Sequence, residues 1–360
     1  MNFVNFYFLI FRIHFLNIKF KKNIWENYNK EMAEELLENL SIQSKTIINH
    51  PLDIVYTYVN NLDKKWYEKA LRYKSELRSM RYNFHGEIFF SLQLVQKFIP
   101  WVNHIYIIHD EQPFSLQFLT PEFQKKITFI DHKDIIPQEY LPTFNSQVIE
   151  CFLWKIPNLA DYFLYMNDDF FFGKPIHYND FFTENHQMKM YADVRNYRLS
   201  IQEMSGHFQF LLDREVSAEV FAKEMKLKHK IYLQLRHVPY SFHKETCKKA
   251  FEIFQPYLHK TCLLHKFRKY DIGKFHFKDY LQSYSTFSAI ILFSLMMIFE
   301  RKVWIVSLRS IHHEIINILE LNQSSMIDIL RRRPKFLCIN GLTSNQMNLW
   351  KFLQIHYLKN

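Results

Sequence analysis

Four short runs of β-branched and aromatic residues punctuate the first half of the chain: 53–59 (DIVYTYV), 104–109 (HIYIIH), 127–131 (ITFID) and 162–167 (YFLYMN). Each has strand length and strand composition. Between the first two, Ile88, Phe89, Leu92, Leu94, Val95 and Phe98 form one stripe and predict a helix over 87–98. Residues 146–154 predict another helix ahead of the fourth strand, and Met32, Leu36, Leu37 and Leu40 mark an amphipathic helix over 26–41. Strands alternating with helices imply an α/β protein with a mostly parallel sheet covered on both faces. The second half reads mainly as helix, including 215–231, 243–257 and 278–299. A helix at 323–332 and a strand at 335–340 follow. The expected organisation is an extension over 1–50, an α/β core over 51–190, a mainly helical part over 191–322 and a helix–strand unit over 323–360 completing the core.

The strands run into polar residues: Asn60 and Asn61, Asp110 and Glu111, Asp131 and His132, and Asn167 with Asp168 and Asp169. In open α/β sheets the ligand crevice lies outside the carboxyl ends of the strands. Four acidic or amide-bearing loops at one edge predict a polar pocket able to take a metal ion.

Composition narrows the chemistry. Hydrophobic residues make up 48% and charged residues 23% of the 360, the balance of a packed globular chain rather than a disordered one. With only 5 glycines there is no G-x-G-x-x-G and no phosphate-cradling P-loop, which argues against dinucleotide and P-loop enzymes. The net charge of +10 favours anionic partners such as nucleotides, phosphates or an acidic membrane surface, with compositional drift in a lysine-rich chain as the plain alternative. The four cysteines are far apart, with no C-x-x-C, and fit a reducing, cytoplasmic setting.

Two apolar stretches bear on membranes. Residues 3–11 are interrupted and too short to span, and 286–299 is better read as a buried core helix. The expectation is a soluble protein resting on a membrane surface, if at all, through its aromatic and basic N-terminal residues, which include KFKK at 19–22.

Adjacent carboxylates at Asp168 and Asp169 repel unless a cation lies between them and a ligand, and a divalent ion bridging to a diphosphate is the usual solution. A solvated loop is the plain alternative. Asp53 opens the first strand, and Asp63 suits a turn. Glu87 suits a helix N-terminus, and Arg81 could grip a phosphate. His243, Cys247, His259, Cys262 and His265 lack the usual paired spacing of zinc ligands. His237, His265, Arg268 and Asp271 read better as a phosphate-handling group.

Blocks at 53–66, 79–113, 141–175, 237–240 with 265–272, and 333–340 occur in an order that resembles the conserved regions of the Stealth family. The third block, with TFNS, a helix and a strand ending NDD, is the most specific. The resemblance implies a nucleotide-sugar-binding, glycosyltransferase-A-like fold with helical additions. It also implies transfer of a sugar 1-phosphate from a nucleotide-diphosphate sugar to a glycan hydroxyl in capsular or other surface polysaccharide, at the cytoplasmic side. Carried over by position, Asn60, Asp63, Arg81, Glu87, Thr143, Asn145 and Ser146 would bind substrate. Asn167, Asp168 and Asp169 would hold Mg²⁺ or Mn²⁺, and His237, His265, Arg268 and Asp53 would serve catalysis. Three positions depart from the family pattern: Asn61 stands where glycine is usual, Gly86 where an acidic residue is usual, and Gly341 where aspartate is usual. At the first of these, Asn61 would have to accept any left-handed turn.

Two rival functions stay open. One is a glycosyltransferase that uses the same pocket but releases nucleoside diphosphate. The other is a basic, aromatic-rich nucleic-acid-binding protein, although the aromatics sit in apolar runs and no nucleic-acid-binding motif is present.

Overall fold

A computed structural model describes residues 50–73, 84–195, 208–228, 230–235, 237–267, 287–306, 315–318, 321–339, 342 and 346–359. The chain divides into two units, Met1–His50 and Pro51–Asn360, and the elements below all belong to the second. The helix expected over 26–41, the apolar stretch at 3–11, the basic run at 19–22, Arg81, Arg268, Asp271, Asn340 and Gly341 lie outside the described residues, as does part of the expected 278–299 helix.

The first strand, β1, is Leu52–Thr57. It is followed by α1 (Lys64–Leu71) and α2 (Glu87–Phe98). Then come β2 (Ile105–His109), β3 (Ile127–Asp131), the short α3 (Ser146–Glu150) and β4 (Tyr162–Asn167). β1 pairs in parallel with both β2 and β4, and β2 in parallel with β3. A later strand, β8 (Tyr240–His243), adds antiparallel to β4, giving a sheet ordered β3-β2-β1-β4-β8. Ile54, Val55 and Tyr56 of β1 and Phe163 to Met166 of β4 are almost wholly buried, as strands covered on both faces must be. Edge strand β3 is buried only at Ile130.

From β4 the chain turns through Asp168 and Asp169 into β5 (Phe170–Phe172), which belongs to a different sheet. Between β5 and β8 lie β6 (Met188–Arg195), α4 (Phe208–Glu224) and β7 (Tyr232–Leu235). After β8 come α5 (Lys244–Leu264), α6 (Ala289–Phe299), β9 (Val303–Val306), β10 (Ile315–Ile318), α7 (Gln323–Arg332), β11 (Phe336–Ile339) and α8 (Met347–Lys359). β11 pairs in parallel with β10 and antiparallel with β5, while β6 joins β7 and β9 in a third sheet.

The second half is thus richer in strands than its pattern suggests. The strands there are mostly four residues long, too short for alternation to stand out among neighbouring lysines and histidines. The helix read over 146–154 is one turn of α-helix followed by a separate 3₁₀ turn at Leu153–Lys155. The helix read over 215–231 lies instead at 208–224, and residues 232–235 are already strand. α6 is buried from Ala289 to Ile298 and so has no polar face. Among the described residues no helix is long and apolar enough to cross a membrane.

Candidate functional site

Because β1 to β4 are parallel and in register, with Thr57 opposite Ile108 and Asn167, and His109 opposite Asp131, their carboxyl ends form one edge. The loops there are tied to one another. Gln112 clasps the β1 loop, accepting from the Asn60 backbone N–H at 3.1 Å and donating to its carbonyl at 2.7 Å. Lys69 Nζ of α1 donates to Asp110 Oδ1 at 2.7 Å and to Glu111 Oε2 at 3.2 Å, and the Glu111 N–H donates to Asp131 Oδ2 at 3.0 Å. Burial nonetheless pushes the Asp110 carboxyl above its usual range.

Asn167, Asp168 and Asp169 are half-buried, at the point where the chain leaves one sheet for the next. Asp168 is half-open by surface yet densely surrounded. Burial, and after it the charges of Asp169 and Glu87, push its carboxyl well above the usual range. Asp168 in turn helps raise Tyr58, which goes to about 12 chiefly through its own burial. Glu87 opens α2 and is buried, so its carboxyl is also raised, although the His85 N–H donates to its Oε2 at 2.7 Å. Gly86 before it has φ 83°, a backbone that residues with a Cβ rarely adopt. Asp169 is held from the C-terminal part of the chain: Ile339 N–H donates to its carbonyl at 3.2 Å, and the Cys338 thiol lies 3.8 Å from its Oδ2. His237 sits edge-on to Phe170, next in sequence to Asp169, with ring centroids 6.0 Å apart.

The other residues singled out from sequence fall into four groups. Asp63 caps α1, accepting from Trp66 N–H at 2.9 Å. Thr143 and Asn145 are buried at the entry to α3, which begins at Ser146, and Asn145 Nδ2 donates to the carbonyl of His265 at 3.0 Å. The His265 ring is itself buried. Asp53 must be corrected. It lies at the opposite end of β1, about 13 Å of strand away from Thr57 at the carboxyl edge, and both its oxygens are committed. Asn103 Nδ2 donates to Oδ1 and Ala160 N–H to Oδ2, each at 2.7 Å. It fastens loops at the amino edge and is not brought to the site. Asn61 needs no left-handed turn, since it is not among the positive-φ residues, and its Oδ1 accepts from Phe84 N–H at 3.1 Å.

Residues not singled out complete the edge. Tyr165 Oη lies 3.0 Å from Asn167 Oδ1, 3.0 Å from Thr57 Oγ1 and 3.4 Å from Glu150 Oε1. Glu150 is buried, and its sequence signal is a lone carboxylate inside the apolar run Val148 to Leu153. The histidine–cysteine series forms no metal centre. His243 pairs with Thr246, His259 pairs with the Tyr140 hydroxyl, and among the described residues no three His, Cys, Asp or Glu side chains could hold an ion together.

An open, mainly parallel α/β sheet with carboxylates gathered at its carboxyl edge defines an α/β ligand-binding protein. The model of Stealth protein CR2, conserved region 2, matches residues 81–190. The chain is 39% identical over 181 residues to capsular polysaccharide phosphotransferase fcs1 of Haemophilus influenzae, covering 46% of this chain and 49% of that one. It is 43% identical over 178 residues to capsular polysaccharide phosphotransferase LcbA of Aeromonas hydrophila, covering 47% and 48%. It is 32% identical over 266 residues to a capsular polysaccharide phosphotransferase of Neisseria meningitidis serogroup B, covering 68% and 69%. The chain belongs to the Stealth family. It spans about half the length of the first two relatives. Among solved structures, galactosyltransferase LgtC in complex with donor and acceptor sugar analogues aligns over 85% of this chain and 95% of that one. The identity is 10% and the TM-score 0.39, a likeness too loose to carry an argument.

Proposed function

We propose that this chain transfers a hexose 1-phosphate, of the N-acetylhexosamine kind, from a nucleotide-diphosphate sugar to a glycan hydroxyl, building phosphodiester links in capsular or other surface polysaccharide. The observation that carries this reading is the crowding of Asp168, Asp169 and Glu87 at the carboxyl edge of the sheet, in a chain whose relatives are capsular polysaccharide phosphotransferases. The reaction belongs on the cytoplasmic side, at the membrane face.

The donor set fits a divalent cation shared with substrate. Mg²⁺ is commonly held by one or two carboxylates plus substrate phosphates and water, and Asp168, raised by burial and then by its acidic neighbours, is the kind of group a positive charge would relieve. Asp168 and Asp169, with Asn167 beside them, would hold Mg²⁺ or Mn²⁺, which supplies charge neutralisation on the diphosphate oxygens. The chain's own work is positional. Asn60, Asp63, Glu87 and the Thr143–Ser146 entry frame the donor, and Arg81 adds a phosphate contact. The acceptor oxygen forms a bond to the β-phosphorus as the bond to the α-phosphate oxygen breaks, and nucleoside monophosphate leaves. His237, half-buried beside Phe170, is better placed than the buried His265 to take the acceptor proton. Arg268 stabilises the phosphoryl oxygens. Positioning and charge stabilisation are most of what phosphoryl transfer asks.

Phosphorus NMR of products from a panel of nucleotide sugars and short glycan acceptors tests the reading. Nucleoside monophosphate with a new phosphodiester signal supports it, and nucleoside diphosphate alone overturns it in favour of glycosyl transfer. Asp169→Ala is expected to lower kcat by about 100-fold or more, and activity within a few-fold of the parent would remove Asp169 from the site.

A further inference from the structure

Three consecutive charged residues of α4, Asp213, Arg214 and Glu215, are buried to 3%, 2% and 2% exposure. Successive helix residues point about 100° apart, so α4 is enclosed around most of its girth there. Charges are kept in such a place only with partners. Arg214 Nη2 donates to the adjacent Glu215 Oε1 at 3.2 Å, a local contact. Asp213 reaches across the fold instead: its Oδ2 accepts from Gln147 Nε2 at 2.7 Å, with both side chains buried. A carboxylate offers only acceptors, so the Gln147 amide must turn its NH₂ group towards Asp213.

Gln147 belongs to α3, one turn before Glu150. The segment leading into α3 is tied to the second half of the chain at several further points, Lys266 Nζ donating to the Tyr140 and Leu141 carbonyls at 3.0 Å each. Asn145 Nδ2 donates to the His265 carbonyl at 3.0 Å, and Phe144 N–H donates to the Lys266 carbonyl at 2.8 Å. The tie from Asp213 grips the helix itself, through the Gln147 side chain. At the end of α3, Glu150 Oε1 lies 3.4 Å from the Tyr165 hydroxyl, whose single proton it shares with Asn167 Oδ1 at 3.0 Å, beside the carboxylate pair. A hydrogen-bonded path therefore runs from α4 through α3 to the turn after β4.

We propose that Asp213 is a positioning residue: through Gln147 it fixes α3 so that Glu150 and Tyr165 hold Asn167 in place beside Asp168 and Asp169. The assignment rests on the site described under Proposed function, but it does not depend on which bond of the donor breaks.

The test compares Asp213→Asn, which keeps an acceptor for Gln147, with Asp213→Leu, which removes it, alongside Gln147→Leu and the double variant. Asp213→Leu is expected to lower kcat by about 10- to 100-fold with the donor KM changed less than about threefold, while Asp213→Asn stays within about threefold of the parent. The double variant should be no slower than the slower single one, because both remove one link. Hydrogen exchange of residues 143–152 should rise in Asp213→Leu and Gln147→Leu but not in Asp213→Asn. Parent-like kcat in a folded Asp213→Leu overturns the proposal. So does an Asn variant as slow as the Leu variant, which would mean the charge itself acts, and so do losses that multiply in the double variant. If Asp213→Leu does not fold, Gln147→Leu alone decides by the same two readouts. Release of nucleoside diphosphate by the parent would defeat the proposed reaction, yet the kcat comparison is read on that product equally well. If no donor turns over, unchanged exchange of 143–152 in the Leu variants overturns the positioning role on its own.

Discussion

Ser91 Oγ of α2 donates to the carbonyl of Phe170 over 2.6 Å, immediately after the carboxylate pair in sequence. Its single proton is spent there, so the Tyr56 hydroxyl of β1, 2.7 Å away, must be the donor to Ser91. Burial and the nearby Asp168 both favour the protonated phenol. One hydroxyl thus joins the first strand, the second helix and the start of β5.

Ser91→Ala should therefore strand two buried groups, the Phe170 carbonyl and the Tyr56 hydroxyl. The expected loss is about 2 kcal/mol in urea denaturation. Adding Tyr56→Phe should cost less in that background than in the parent, because the hydroxyl has already lost its acceptor.

Asp53→Ala separates framework from chemistry. Removing a carboxylate that holds Asn103 and Ala160 should destabilise the protein by about 3 kcal/mol. The kcat of the folded fraction should stay within about threefold of the parent. A loss of kcat comparable to that of Asp169→Ala, with little change in stability, would return Asp53 to the catalytic group.

The acid limb of the stability curve should carry the mark of His132. Burial holds this imidazole neutral, its pKa pushed down to about 3 from 6.5, against the opposing pull of Asp131. Between those values the unfolded chain binds the proton and the folded one does not, so stability present above 6.5 is lost as the pH falls, by up to about 1.4 kcal/mol per pH unit. His109 is lowered by burial as well and adds to the same slope. Urea midpoints taken from about pH 7 down to about pH 5 should fall less steeply for His132→Leu than for the parent.

Gly173 follows β5, and a Cβ placed there would come within 2.2 Å of the Pro334 carbonyl and 3.1 Å of the Tyr357 hydroxyl. Gly173→Ala should cost about 1–3 kcal/mol through overpacking, seen as a lower thermal midpoint. An unchanged midpoint would show that the 334–336 strand entry yields without penalty.

The central sheet is legible in the sequence because β1, β2 and β4 are apolar on both faces and stop at polar residues, two signals that coincide at Asn60, Asp110 and Asn167. Asp53 joins the catalytic group only through the resemblance; its place at the opening of the first strand already sets it at the edge away from those polar ends. Glu150 and Gln147 escape notice because the pattern of α3 looks like core, and their roles depend on contacts to Tyr165 and Asp213 from distant elements. The four-residue strands β7 to β11 owe their existence to pairing partners rather than to local alternation. Asn61 shows the converse, a departure from the family pattern that the local backbone accommodates without left-handed geometry.

The pairing of β11 with β5 has a consequence for how the protein is made. Cys338 and Asp169 stand 169 positions apart along the chain, so the turn bearing the carboxylates gains these neighbours only after that whole stretch has been synthesised. Closing so long a loop is slow relative to local structure. A nascent chain can lay down β1 to β4 early, while the carboxylate turn waits for a strand still inside the ribosome. Completion of the carboxylate turn is therefore a late event in the life of each molecule, following its central sheet.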